Sequence, residues 1–160
     1  WNYWQQTFRS GHCDLVATRY ARDVVGKLDY LAVTHGDRLA NLPEWRVATS
    51  YRYQGDSTDL TTYFQASGEK LDAIKALREP DLVHQEQLTR RLWQCTPVYQ
   101  TLRAKSGMHF TRAEQANCLS LLEEKLGVPV AITSYGPTAR EKLCSQNFAK
   151  WIAVRSDNTA

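Results

Sequence analysis

The sequence predicts an α/β fold, on three observations. An amphipathic helix, a short apolar strand and a polar loop follow one another in residues 14–37. The same order appears in residues 111–137. Residues 45–53 alternate between apolar and polar in the manner of a strand. Ligands in folds of this grammar bind outside the carboxyl ends of the strands, which directs attention to the two polar loops.

Taken in order, residues 1–9 are aromatic and polar without a clean period and read as a loop, or as an element cut from its context. From Asp14 the pattern is helical: Leu15, Val16, Tyr20, Val24 and Val25 recur at helix spacing, and Gly26 follows as a stop. Residues 29–34 are short, apolar and β-prone, the profile of a buried strand, and His35-Gly36-Asp37 breaks the run. Trp45, Val47, Thr49, Tyr51 and Tyr53 share one face of the next strand, with Arg46, Ser50 and Arg52 opposite, and Gln54-Gly55-Asp56 is expected to be a hairpin turn. Residues 69–93 are charged and helix-prone, broken once by Pro80, and residues 97–102 form another short strand.

Thr111-Arg112-Ala113-Glu114 is a capping box, in which hydroxyl and carboxylate reciprocally satisfy backbone N–H groups at a helix start. The helix it opens is expected to bury Ala113, Ala116, Leu119, Leu122 and Leu126 and to end at Gly127. Residues 128–133 again read as a buried strand, with Pro129 tolerable at its start, and lead into Ser134-Tyr135-Gly136-Pro137. No linker divides the chain, so residues 1–160 are expected to be a single unit.

Composition narrows the class. With 160 residues the chain can bury roughly 70% of its unfolded surface, enough for a core without staples. No apolar run approaches the ~20 residues that span a bilayer, so no membrane partner is expected. A net charge of +3 suits phosphates but does not announce a nucleic-acid partner, and Tyr51-Arg52-Tyr53 is explained by alternating strand faces. Cys13, Cys95, Cys118 and Cys144 are scattered without a C-x-x-C pair, as are His12, His35, His84 and His109, which points to reduced cytoplasmic thiols and no structural metal. The chain opens on Trp1 rather than Met, and the expectation is that it is part of a longer protein.

If the strands that precede the two polar loops are neighbours, the loops meet at one edge of a sheet. Asp37 then has the chemistry to accept two hydrogen bonds from a guanine's ring N–H and exocyclic amine, because an ionised carboxylate is acceptor-only and binds such a fork at two points. Ser134 and the N–H of Gly136 have the chemistry to meet the base's oxygen, glycine permitting close approach. On the residues alone, a turn at Asp37 and a strand ending at Gly136-Pro137 is the simpler alternative.

Four blocks resemble the adenylosuccinate synthetase family. Residues 119–143 are similar to its C-terminal signature, a Leu- and Glu-rich helix followed by G-V-P-V, apolar residues, then S-x-G-P and a basic residue. Residues 95–102, Cys-Thr-Pro-Val-Tyr-Gln-Thr-Leu, are similar to C-x-P-V-Y-E-x-L/M. Residues 10–21 resemble x-G-W-x-D-x-V-x-x-R-Y-A, and residues 31–39 resemble L-A-L-T-K-x-D-x-L. The blocks lie in the family's order and cover almost the whole chain.

The resemblance implies the C-terminal portion of a P-loop-NTPase-like fold, a mixed sheet with flanking helices, in a commonly homodimeric, cytoplasmic ligase. That enzyme joins IMP to L-aspartate at the expense of GTP, with Mg²⁺ neutralising the transferring phosphoryl group. His35, Asp37, Ser134, Gly136 and Pro137 fall on the donor-base loops, and Arg9 on a substrate-binding position for a phosphate or the aspartate carboxylate. His12 stands where the family has Trp and is assigned to packing. His35 replaces the family's Lys, which leaves GTP or ATP open as donor. The run W-Q-x-x-F-R-x-G is closer to an archaeal and phage branch, whose phage members act on dGMP; that substrate is the alternative, as is a nucleotide-binding module without chemistry. Nothing resembles the G-D-E-G-K-G phosphate loop or the catalytic Asp and His of the N-terminal half. No catalytic or metal-binding residue is therefore expected here, and the chain alone is expected to be inactive.

Overall fold

In the computed structural model, residues 11–56, 58–79 and 81–157 are described. The described residues mix helices and strands in two mixed sheets with flanking helices, an α/β architecture. Residues up to Tyr20 together with Arg46–Thr101 form one compact unit, and Ala21–Trp45 with residues from Leu102 onward form a second.

The first unit is built on the longest strand. β1 (Cys13–Asp14) pairs in parallel with β3 (Glu44–Tyr53), Cys13 opposite Val47. β3 runs antiparallel to β5 (Lys70–Ile74), which is antiparallel to β4 (Phe64–Ser67), and β6 (Cys95–Arg103) also pairs with β3. Edge partners satisfy the backbone of β3, and what its two faces pack against sets side-chain burial; both faces are covered at its centre. Ala48 and Ser50 are accordingly as buried as Val47 and Tyr51, and the single apolar face expected for this strand holds only at its ends.

Helix α1 (Leu15–Val25) starts on Asp14, whose Oδ1 accepts from the N–H of Val16 and Ala17, both at 3.0 Å. It stops at Gly26, whose φ of 91° suits glycine. Phe64, Leu71, Ile74 and Leu88 pack with Val16 and Tyr51 into the unit's core.

Two expectations are corrected in this unit. Residues 69–93 are not one broken helix: they hold β5 and then α4 (Leu82–Leu92), capped by Asp81, which accepts from the His84 N–H at 3.0 Å. The strand forms because Ser67 pairs with Lys70 across a two-residue loop in which Gly68 takes φ 62°. Burial of Leu71 and Ile74 outweighs the helix propensity of the neighbouring Glu69, Lys70 and Ala73. Nor is Gln54-Gly55-Asp56 a hairpin turn. β3 is followed by α3 (Leu60–Tyr63) and takes β5, not β4, as its antiparallel partner. The segment is pinned instead to Gln94, whose carbonyl accepts from Gln54 N–H at 3.0 Å. A side chain at Gly55 would collide with the Gln94 amide.

The second unit carries a three-stranded sheet in the order β2 (Leu31–Val33), β7 (Val130–Ser134), β8 (Lys142–Cys144). β2 lies parallel to β7 and β8 antiparallel to it. Around it stand α2 (Gly36–Ala40), α5 (Arg112–Leu126) and α6 (Gln146–Asp157).

The capping box of α5 is complete, and Gly127 ends the helix at φ 66°. The buried face is corrected. Gln115, Cys118, Leu122 and Leu126 are buried, Leu119 is half-buried, and Ala113 and Ala116 are exposed. Gln115 lies inward with its side-chain amide N–H donating to the Phe110 carbonyl at 3.0 Å, while its amide oxygen is buried without a hydrogen-bond partner among the described residues. Cys118 packs there as a small hydrophobe with Ala104 and Phe110. Among the described residues no helix is long and apolar enough to cross a membrane.

Candidate functional site

The parallel register of β2 on β7, Ala32 opposite Ile132 and Val33 opposite Thr133, makes the two apolar strands neighbours. Both chains therefore leave the sheet at the same edge, the one where their carboxyl ends lie. After β2 comes Thr34-His35-Gly36-Asp37; after β7 comes Tyr135-Gly136-Pro137, with Ser134 the last strand residue.

On the first loop His35 turns the chain in the left-handed region, φ 63°, a conformation in which His is enriched among non-glycine residues. Its Nδ1 lies 2.9 Å from the Thr34 hydroxyl, and the ring is exposed. Gly36 is buried and opens α2. Asp37 follows it with a half-exposed carboxylate, 3.8 Å from the Arg38 guanidinium, while its carbonyl accepts from the Asn41 amide at 2.9 Å. The loop thus presents an ionisable acceptor at the strand edge.

The second loop is braced from within. Ser134 is buried and its hydroxyl donates to the Gly136 carbonyl at 3.0 Å. The Lys142 ammonium donates to the same carbonyl. The N–H of Tyr135 donates to the Glu141 carbonyl at 2.9 Å. The Glu141 carboxylate accepts from the Thr138 hydroxyl at 2.6 Å and from its N–H at 2.8 Å, forming a second capping box on the 3-10 turn Ala139–Glu141. The Thr138 hydroxyl bond, followed by the Thr138 N–H, holds the Glu141 carboxyl below its usual range. Pro137 is exposed at the tip.

The loops touch through Gly36 and Tyr135. A Cβ on Gly36 would stand 2.6 Å from Tyr135 Cε1 and 3.2 Å from the Ser134 carbonyl oxygen, so only glycine lets the two segments approach this closely. The guanidinium of Arg112, at the first residue of α5, lies 3.7 Å from the Tyr135 ring centroid.

Of the residues expected from sequence, His35, Gly136 and Pro137 fall on the two adjoining loops, Asp37 in the first turn of α2 and Ser134 at the end of β7. Arg9 lies outside the described residues. Tyr135, Arg112, Glu141 and Lys142 were not anticipated as parts of the site. Thr138-Ala139-Arg140-Glu141 repeats the capping pattern of Thr111–Glu114 and was a legible signal for Glu141. Tyr135 and Arg112 have no such signal, since their contact joins distant segments. Among the described residues no group of three His, Cys, Asp or Glu side chains is placed to hold a metal ion.

Residues 5–143 match the family profile described as adenylosuccinate synthetase. The chain is 31% identical over 148 residues to the adenylosuccinate synthetase of Desulforudis audaxviator, covering 88% of this chain and 28% of that protein. It is 36% identical over 135 residues to that of Pelotomaculum thermopropionicum, covering 80% of this chain and 26% of the relative. Among solved structures, the fully ligated adenylosuccinate synthetase from Plasmodium falciparum superposes with a TM-score of 0.58 at 15% identity, over 84% of this chain and 28% of that one, a likeness of fold. The chain spans 26–28% of the length of these curated relatives.

Proposed function

The chain belongs to the adenylosuccinate synthetase family, a family of purine-biosynthesis ligases, and from that premise we propose that residues 1–160 act as the donor-base-binding C-terminal part of such a ligase. In this reading the whole protein joins L-aspartate to IMP with GTP as phosphoryl donor. Mg²⁺ and the donor's phosphates are held by the rest of the protein.

One observation carries the reading: the parallel pairing of β2 and β7, which puts Asp37 and Gly136 on adjoining loops at the carboxyl edge of one sheet. Asp37 accepts the ring N–H and exocyclic amine of guanine, and the Gly136 N–H meets the base's oxygen. Ser134, its hydroxyl committed to the Gly136 carbonyl, sets the shape of that loop. His35 and Pro137 flank the base on either side. Arg9 binds a substrate phosphate or carboxylate.

Calorimetric titration of the full-length protein with GTP and ATP tests the base site. Asp37→Asn keeps one acceptor oxygen and turns the other into a donor. GTP affinity should fall by about 1–3 kcal/mol, roughly 5- to 150-fold, because a guanine donor is left unpaired. ATP affinity should change little. Unaltered GTP binding in the variant rejects the role.

A further inference from the structure

Resting on the reading that these two loops hold the donor base, we propose that Tyr135 is the wall that sets how Asp37 meets the base, and that Arg112 is the positioning residue that holds Tyr135 in place. The ring of Tyr135 lies directly against the backbone of the residue before Asp37: its Cε1 and Cδ1 are 2.6 and 2.7 Å from where a Gly36 Cβ would stand. Gly36 is not among the glycines with positive φ, so its backbone conformation suits alanine. A methyl group there is opposed by the Tyr135 ring and, less severely, by the Ser134 carbonyl oxygen at 3.2 Å.

Arg112 closes one face of the ring, its guanidinium carbon 3.7 Å from the centroid. The backbone of that exposed arginine is fixed, because it stands between Thr111 and Glu114, whose capping box anchors the start of α5. The ring is thus clamped by a cation on one face and by the Gly36 backbone at its edge. A ring held in this way determines where Gly36 sits, and Asp37 with it. Arg112 acts only through Tyr135.

The test is titration of the full-length protein with GTP and ATP, each variant also followed by thermal melting. Arg112→Met keeps an unbranched stem and loses the cation; GTP should bind about 2- to 30-fold more weakly, ATP should change by less than about twofold, and Arg112→Lys should restore part of the loss. Gly36→Ala should weaken GTP in the same way. In a Tyr135→Val background, Gly36→Ala should add much less further loss, since the ring collision is gone and only the milder approach to the Ser134 carbonyl oxygen remains. Should Arg112→Met not fold, the Gly36→Ala and Tyr135→Val pair carries the same test.

GTP affinity untouched by Arg112→Met and by Gly36→Ala, while Asp37→Asn still weakens it, overturns this role and leaves the base site standing. Equal losses for GTP and ATP with a lowered melting temperature assign Arg112 to packing alone and also overturn it. Indifference of GTP binding to Asp37→Asn removes the base site itself, and this proposal with it.

Discussion

Asp14 sends one carboxylate oxygen to the start of α1, where it accepts from Val16 and Ala17 N–H at 3.0 Å, and the other to the Tyr51 hydroxyl at 2.6 Å. Tyr51 is buried, and burial first, then the bond to Asp14, pushes its hydroxyl well above the usual tyrosine range, so it stays a donor. A residue inside a family-like block is therefore occupied by the fold. Asp14→Ala should cost about 2–4 kcal/mol in urea unfolding, the sum of a lost helix cap and a stranded buried hydroxyl. Adding Tyr51→Phe removes that hydroxyl, so the double variant should recover about 1 kcal/mol relative to Asp14→Ala. Strict additivity of the two substitutions would show that the oxygen–oxygen contact contributes nothing. The cap at Asp14 is legible from sequence as a polar residue before an apolar period. Its bond to Tyr51, 37 positions on, is not.

The start of α5 gathers its stability into one carboxylate. Glu114 accepts from the Thr111 hydroxyl at 2.7 Å, from Thr111 N–H at 2.8 Å and from Lys105 N–H at 2.8 Å, tying the preceding loop to the helix. The Thr111 hydroxyl, then the Lys105 and Thr111 N–H groups, draw its pKa from 4.5 to about 2. The folded value lies below the unfolded one, so the stabilisation is fully present above about pH 4.5 and is lost as pH falls toward 2. Circular-dichroism melts should show a falling melting temperature across that window. Glu114→Gln should begin less stable at pH 6 and lose less between pH 4.5 and 2; an acid response identical to the wild type would remove Glu114 as a source. This cap and Gly127 could be read directly because both are local. The buried face could not, because Gln115 turns inward only where the Phe110 carbonyl is waiting. β5 was hidden by its charges and β8 by its brevity, since a three-residue strand with Leu143 exposed shows no period at all.

For the whole molecule, what was legible is the order of elements: helix, short strand and loop, met twice, imply a parallel pair whose loops adjoin, and β2 on β7 is that pair. The clamp of Arg112 and Gly36 on Tyr135 was not legible, because it depends on how residues distant in sequence pack. In the proposed reading the two loops hold the donor base, and the chain spans 28% of its relative from Desulforudis. That reading predicts that the chain on its own binds a guanine base and transfers nothing. Incubated with IMP or dGMP, L-aspartate, Mg²⁺ and GTP or ATP, the isolated 160-residue chain should release no phosphate. Each charge-assisted hydrogen bond to a phosphate contributes about 1.5–3 kcal/mol, so a chain that held the triphosphate would bind GTP at least about tenfold more tightly than guanosine. Titrations of the folded chain should instead give the two ligands affinities within about threefold of each other. Turnover by the isolated chain, or a strong preference for GTP over guanosine, would mean that the phosphate-holding machinery lies within these residues after all.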